Sequence, residues 1–412
     1  MRILFVHRFF PGQFGNLARS FAARPDNEVV FVATEHNEGA RPIDRVRTIL
    51  APVSRQSGPA THHYLQGLEN AVLAGQATFR ACVALRQSGF MPDLIYAHAG
   101  FGPGLYLKEA FPGAPLLGYF EWYYHPRGAD ADFETPEAVS PDEALRIRTK
   151  NAGVLLELAQ CDKGICPTRF QHAQFPAEFR DKLAVLHDGI DTDAFTPGRR
   201  GHLPLVPELP DGAEIVTYAT RGLEPYRGFP QFMRAVALMQ KQRPDLHAVI
   251  VGKDAAYYGG LPPNHASWKE AVLYELPHLD LARIHFLGHL APKQYRQVLQ
   301  ASDVYAYLTV PFVLSWSLLE AMASGCTIVG SNTPPVRELV RDGVTGWLAD
   351  FHDPAAIAER IGYALDNRRQ ALSLGVAARQ HIVQNYSLTR LMPRHMALAR
   401  SIIGGEPLAA SA

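Results

Sequence analysis

EIVTYATRGLEPYRGF, residues 214–229, is the stretch on which the fold turns. Ile215, Val216, Tyr218 and Ala219 give it a β-branched and aromatic opening, which reads as a strand. Two arginines, two glycines and a proline follow as a turn, and a helical pattern opens near residue 228. Just upstream, TPGRRGHLPLVPELPDGA, residues 196–213, is rich in Pro and Gly and has no periodicity, so it reads as a linker. After that linker a strand–turn–helix alternation starts afresh.

The same alternation already fills the first half. Strands are predicted at 2–6, 29–32, 48–51, 94–97, 116–120 and 164–166, with helices at 15–23, 63–88, 104–110 and 141–160. The second half continues with strands at 214–219, 247–252, 284–288, 303–308 and 326–330, a helix from about 316, and helical patterning over 353–404. Short apolar runs separated by helices predict α/β architecture with two doubly wound, Rossmann-like domains. The expected organisation is a domain over 1–195, a linker over 196–213, a domain over 214–385, and a segment 386–412 whose helix packs back towards the first domain before a small-residue tail. A central cleft at the carboxyl ends of the strands is where ligands of such sheets bind.

At 412 residues the chain is too long for one ordinary core, which agrees with two domains of about 200 residues. Forty basic and forty acidic side chains cancel, so net charge excludes nucleic acid as the main partner and leaves any anion site local. Cys82, Cys161, Cys166 and Cys326 show no zinc-type spacing and fit packed thiols in a reducing compartment. MRILFVH is too short for the apolar region of a signal peptide, and no run of eighteen apolar residues occurs, so a cytoplasmic location is expected.

Arg221 and Arg227 share one strand-to-helix turn. Two guanidiniums beside a helix N-terminus suit a diphosphate, because charge-assisted bonds and backbone N–H groups converge on one anion. The alternative is two solvated arginines paired with Glu224. A second turn of this kind lies at PFVLSWSLLEAMASG, residues 311–325, where Ser315 can cap a helix over 316–323. Leu318, Leu319 and Met322 supply its core stripe, leaving Glu320 as either a surface acid or a reader of a polar ligand.

Together these two turns resemble the family 4 retaining glycosyltransferases of GT-B fold, the glycosyl transferases group 1. VLHDGIDTDAF (185–195), HFLGHL (285–290) and PPVRELVRDGVTGWLA (334–349) extend the resemblance over nearly the whole chain. It implies a retaining, metal-independent enzyme without cofactor that moves a sugar from a nucleotide diphosphate donor, UDP favoured, to a hydroxyl of a glycan or lipid-linked acceptor. Bacterial surface polysaccharide synthesis, exopolysaccharide or lipopolysaccharide, is the implied setting, with peripheral association at the inner membrane face open. The first domain then takes the acceptor side and the second the nucleotide sugar.

By the same resemblance, Arg221 and Arg227 bind the diphosphate and Glu320 the ribose. The amides of Ser315 and Trp316 meet the diphosphate, and main chain near His289 and Leu290 reads the base. Gly12 and Gly15 let backbone approach the donor. Two positions depart from the family pattern. Phe312 stands where the family has a sugar-contacting glutamate, and Glu121 stands where many members have a histidine near the transferred sugar. One expectation is that Glu121 supplies the missing carboxylate; another is that the donor sugar leaves the corresponding hydroxyl unread. His98 and His125 are further candidates for sugar or acceptor.

Two other readings compete. Phe312 would also fit a catalytically degenerate protein that still binds a sugar nucleotide. YAHAGFGPGLYL, residues 96–107, approaches the glycine pattern of an NAD-dependent oxidoreductase but has G-x-G-x-G with Pro103 inside. Asp130 and Asp132 in GADADF read as a solvated loop rather than a metal pair.

Overall fold

The computed structural model describes residues 1–37, 39–135 and 139–405. The small-residue tail expected over 406–412 lies outside the described residues. The first half runs β1 (Arg2–Phe10), α1 (Gly15–Ala22), β2 (Glu28–His36), β3 (Val46–Leu50), α2 (Gln66–Gln87), β4 (Leu94–His98), α3 (Leu107–Ala110), β5 (Leu116–Tyr119), α4 (Pro141–Gln160), β6 (Lys163–Cys166), α5 (Arg169–Gln174), α6 (Ala177–Arg180) and β7 (Leu183–Val185). Its seven strands form one parallel sheet in the order β3-β2-β1-β4-β5-β6-β7. Ile3, Leu4, Phe5 and Val6 of β1 are all fully buried, as a strand covered on both faces requires. Ser140 caps α4 by accepting the Glu143 amide, and Pro141 fills the first helical position, where its missing N–H costs nothing.

The second half runs β8 (Glu214–Gly222), α7 (Phe229–Gln240), β9 (Leu246–Lys253), α8 (Trp268–Glu275), β10 (Ile284–Gly288), α9 (Pro292–Ala301), β11 (Val304–Tyr307), α10 (Trp316–Ala323), β12 (Thr327–Ser331), α11 (Pro334–Leu339), β13 (Trp347–Ala349), α12 (Pro354–Asp366), α13 (Arg368–Asn385) and α14 (Leu388–Ile403). Its sheet is also parallel, in the order β10-β9-β8-β11-β12-β13. Each sheet reverses its strand order once, between β1 and β4 in the first and between β8 and β11 in the second. These are two Rossmann-like α/β domains, and each reversal marks a place where open α/β sheets receive ligands.

The chain divides into Met1–Gly189 with Leu388–Ala412, and Ile190–Ser387. The boundary therefore falls at 189/190 and 387/388 rather than at a linker over 196–213. That stretch belongs to the second unit: Leu203 and Val206 are buried in its core, and Arg200 donates to the carbonyls of Asp303 and Gly325. Pro and Gly mark irregular backbone, and irregular backbone can still pack. Helix α14 belongs to the first unit, where it lies against α1 and β4. All four cysteines are free and buried. No helix of the described residues is long and apolar enough to cross a membrane.

The glycines after β4 do packing work. Gly102 has φ +96°, and a Cβ there would meet the Ala71 carbonyl oxygen of α2 at 2.2 Å. Gly102→Ala should lower stability by roughly 1–3 kcal/mol through strain at positive φ and this overlap. Urea unfolding measures it, and an unchanged midpoint would show that the loop yields without cost.

Candidate functional site

Strand β8 ends in Thr220, Arg221 and Gly222, and a short 3-10 helix, Pro225–Arg227, leads through Gly228 at φ +67° into α7. A Cβ on Gly228 would meet Leu308 at 2.5 Å, so this tight entry requires glycine. Arg227 is buried, and its Nη1 donates to Thr309 Oγ1 and to the Val313 carbonyl, both at 2.9 Å. The Tyr218 hydroxyl donates to the Arg227 carbonyl at 2.8 Å, fixing the turn from below. Arg221 is exposed, with its guanidinium 4.1 Å from the centre of the Tyr257 ring. Glu224 is paired with neither arginine: it is fully buried and accepts the amides of Tyr257, Tyr258 and Gly259.

Strand β11 leads to α10, whose N-cap Ser315 accepts the Ser317 amide at 3.2 Å. Arg227, Thr220, Tyr307, Ser315 and Ser317 line one small cavity of about 10 Å³, room for roughly one water. The structure thus brings Arg227 and the first turn of α10 together. The Ser315 amide, expected to meet a diphosphate, instead donates to the Tyr307 hydroxyl at 2.9 Å. Trp316 is exposed and Glu320, four residues on, shares its face, while Leu318, Leu319, Ala321 and Met322 are buried. Burial pushes the Glu320 carboxyl up to about 7, with the Tyr295 hydroxyl beside it opposing the shift.

Phe312 is buried, edge-on to Tyr226 at 5.6 Å and to Tyr258 at 5.1 Å, and its ring centre lies 5.7 Å from the Arg227 guanidinium carbon. The position is an aromatic cluster, not an open sugar-reading edge. Leu290, just beyond β10, packs its side chain on the core of the second unit, and neighbouring His289 is exposed.

In the first unit the sheet reversal gathers a polar chain. The Phe9 amide donates to His7 Nδ1 at 2.7 Å, so the proton of this imidazole lies on Nε2, which faces Gln13 Oε1 at 2.7 Å. Gln13 Nε2 then donates to Glu121 Oε1 at 2.9 Å. His98 Nε2 stands 3.2 Å from Glu121 Oε2, and its Nδ1 faces the Ala99 carbonyl at 2.9 Å. Burial and the neighbouring His98 hold the His7 pKa well below its ordinary value.

Gly12 and Gly15 flank the turn between β1 and α1. Gly12 has φ +50°, and a Cβ there would lie 2.4 Å from the His7 ring, so the imidazole packed against it requires glycine at this turn. Gly15 opens α1, with Pro11 3.1 Å from where its Cβ would be. His125 donates Nε2 to the Gln174 carbonyl at 2.9 Å, which anchors its loop to α5. The glycine-rich loop after β4 is no phosphate cradle, since the Gly100 amide donates to buried Glu157 at 2.6 Å. Asp132 accepts the Gly128 amide, as a loop-closing residue does. Among the described residues no group of three or more His, Cys, Asp or Glu side chains could hold a metal ion.

Sequence reasoning missed Tyr257, Tyr258, Thr309, His7 and Gln13. The only signal for the tyrosines was their place just after a strand on the same sheet.

The family model for the glycosyl transferase family 4 group matches residues 25–195, and that for glycosyl transferases group 1 matches residues 206–381. The chain belongs to the family 4 glycosyltransferases. Similar curated proteins include the D-inositol 3-phosphate glycosyltransferase of Corynebacterium diphtheriae, 29% identical over 49% of this chain and 46% of that protein. That of Streptomyces coelicolor is 26% identical over 70% of this chain and 65% of that protein. The chain spans about half the length of the first of these relatives. Among solved structures, Anabaena Alr3699/HepE in complex with UDP-glucose superposes with a TM-score of 0.69 at 18% identity, covering 97% of this chain and 100% of that one. Sucrose-phosphate synthase from Thermosynechococcus elongatus gives 0.72 at 17% identity, covering 98% and 100%. These neighbours share the GT-B fold with this family 4 chain.

The hydrogen bonds of His7 predict a neutral ring with the proton on Nε2 throughout the range where ordinary histidines titrate. Nitrogen-15 NMR of the imidazole should show that tautomer unchanged at pH 6. An imidazolium signal for His7 there would break the proposed chain.

Proposed function

We propose that this protein is a retaining, metal-independent glycosyltransferase that uses a nucleotide diphosphate sugar, UDP favoured, and bacterial surface polysaccharide as its setting. The observation that carries this reading is the convergence of Arg227 and the first turn of α10, with Arg221 on the same turn as Arg227 and Glu320 on the same helix as Ser315. Departure of the diphosphate builds negative charge, and guanidiniums beside a helix N-terminus stabilise it in place. The departing phosphate takes the acceptor's proton as the hydroxyl attacks from the same face. Glu320 reads the ribose. The Glu121 cluster of the first unit presents a carboxylate to a sugar hydroxyl.

The acceptor in this reading is a hydroxyl of a glycan or a lipid-linked saccharide, met in the cytoplasm or at the inner membrane face. Similarity to enzymes named for D-inositol 3-phosphate favours a second reading, a small phosphorylated polyol. Incubation with a panel of nucleotide sugars, with and without each acceptor class, separates these readings by nucleotide release. Release from none of them would leave the degenerate, binding-only reading.

Arg221→Ala should weaken UDP binding at least about ten-fold, from the loss of one charge-assisted bond of roughly 1.5–3 kcal/mol. Because Arg221 is exposed, the variant leaves the core intact, and unchanged affinity by calorimetry counts against the diphosphate assignment. A second expectation concerns pH. The Glu320 carboxyl, raised to about 7, becomes a full acceptor for ribose hydroxyls only above that value. UDP affinity should therefore gain from rising pH through 7 in the native protein relative to Glu320→Gln. Parallel profiles would return Glu320 to the role of a packed surface acid.

A further inference from the structure

The loop after β9 carries two tyrosines whose rings remain exposed to solvent. Tyr257 is 38% exposed and Tyr258 40%, yet each ring lies against one of the two site arginines. The Arg221 guanidinium carbon sits 4.1 Å from the Tyr257 ring centre, and that of Arg227 sits 5.1 Å from Tyr258.

The loop is held there by a buried device. The Glu224 carboxylate, fully buried, takes the amides of Tyr257 at 3.1 Å, Tyr258 at 2.9 Å and Gly259 at 2.9 Å. Gly222 completes the fit: a Cβ there would meet the Ala255 carbonyl at 2.3 Å and the Tyr257 ring at 2.6 Å. Any side chain at Gly222 would push the loop off the end of β8. On its other side Tyr258 is edge-on to Phe312 at 5.1 Å.

A guanidinium stacked by its face keeps its N–H groups in plane and available at the edge. Stacking also restricts a side chain that otherwise loses much rotamer freedom on binding an anion. We propose that Glu224 clamps the loop so that Tyr257 acts as a positioning residue, holding the exposed Arg221 guanidinium for the diphosphate of a nucleotide, while Tyr258 braces the already tethered Arg227. The proposal rests on the donor-site reading above and adds residues that this reading does not require.

The test is calorimetric titration of UDP into the full chain for the native protein, Tyr257→Ala, Tyr257→Phe, Arg221→Ala and the Tyr257→Ala/Arg221→Ala pair, with GDP titrated into the native protein as well. A cation–π contact at an exposed site corresponds to about a two- to five-fold loss of affinity in Tyr257→Ala, with Tyr257→Phe near native. In the Arg221→Ala background, Tyr257→Ala should change nothing further, because the ring acts through that guanidinium. Equal affinity of the native protein and Tyr257→Ala overturns the proposal, as does a loss that persists undiminished without Arg221. If the native protein binds neither UDP nor GDP, the donor reading itself falls, an outcome distinct from native binding that ignores Tyr257.

Discussion

The candidate site of the second unit depends on one gap, the junction of β8 and β11 where strand order reverses. Right-handed crossovers on either side of such a junction send their helices to opposite faces of the sheet. The segments after the two strands therefore part, and the space between them cannot be filled by continuing the sheet. Into it come a turn carrying two cations from β8 and a helix N-terminus from β11. Neither element alone selects an anion strongly; their convergence follows from parallel pairing of Val304 with Val216 and Tyr305 with Thr217.

Three buried tyrosines hold that geometry. Tyr218 donates to the carbonyl of Arg227, Tyr305 to that of Ala219, and Tyr307 accepts the Ser315 amide. Burial raises the pKa of each phenol, so all three remain neutral hydrogen-bonding groups. Each bond joins a strand in the core to backbone at the site, so a change in core packing would reach the turns directly. Seen this way, the Tyr307 bond to Ser315 fixes the start of α10 and takes up an amide that the resemblance had given to a ligand.

Much of this was legible in the sequence because it was local. The strands, the arginine turn, the Ser315 cap and the apolar stripe of α10 follow from periodicity and capping chemistry over a few residues. Strand β7 was missed because three residues carry no period, and the domain boundary was misplaced because Leu203 and Val206 owe their burial to partners far along the chain. Gly12 shows the remaining limit. Its positive φ was foreseeable from a Pro-Gly turn, but the imidazole that fills the space beside it was not. Likewise, Phe312 looked like a lost carboxylate until its aromatic neighbours Tyr226 and Tyr258 were in place.

The first unit uses its own reversal, between β1 and β4, for different chemistry. There the polar groups form a directional chain from the Phe9 amide through His7 and Gln13 to Glu121, with His98 closing on the other oxygen. Direction matters because the Phe9 amide can only donate and the Ala99 carbonyl can only accept. His98 must therefore carry a proton on Nδ1, and the amide of Gln13 must turn its nitrogen to Glu121. Gln13 then donates to one Glu121 oxygen, whereas a neutral His98 with its proton on Nδ1 turns the Nε2 lone pair towards the other, so that a proton between Nε2 and Oε2 is what joins these two groups. The Gln13 bond orients one oxygen and a shared proton would tie the other to His98, which fixes the carboxylate in its plane for orienting a hydroxyl.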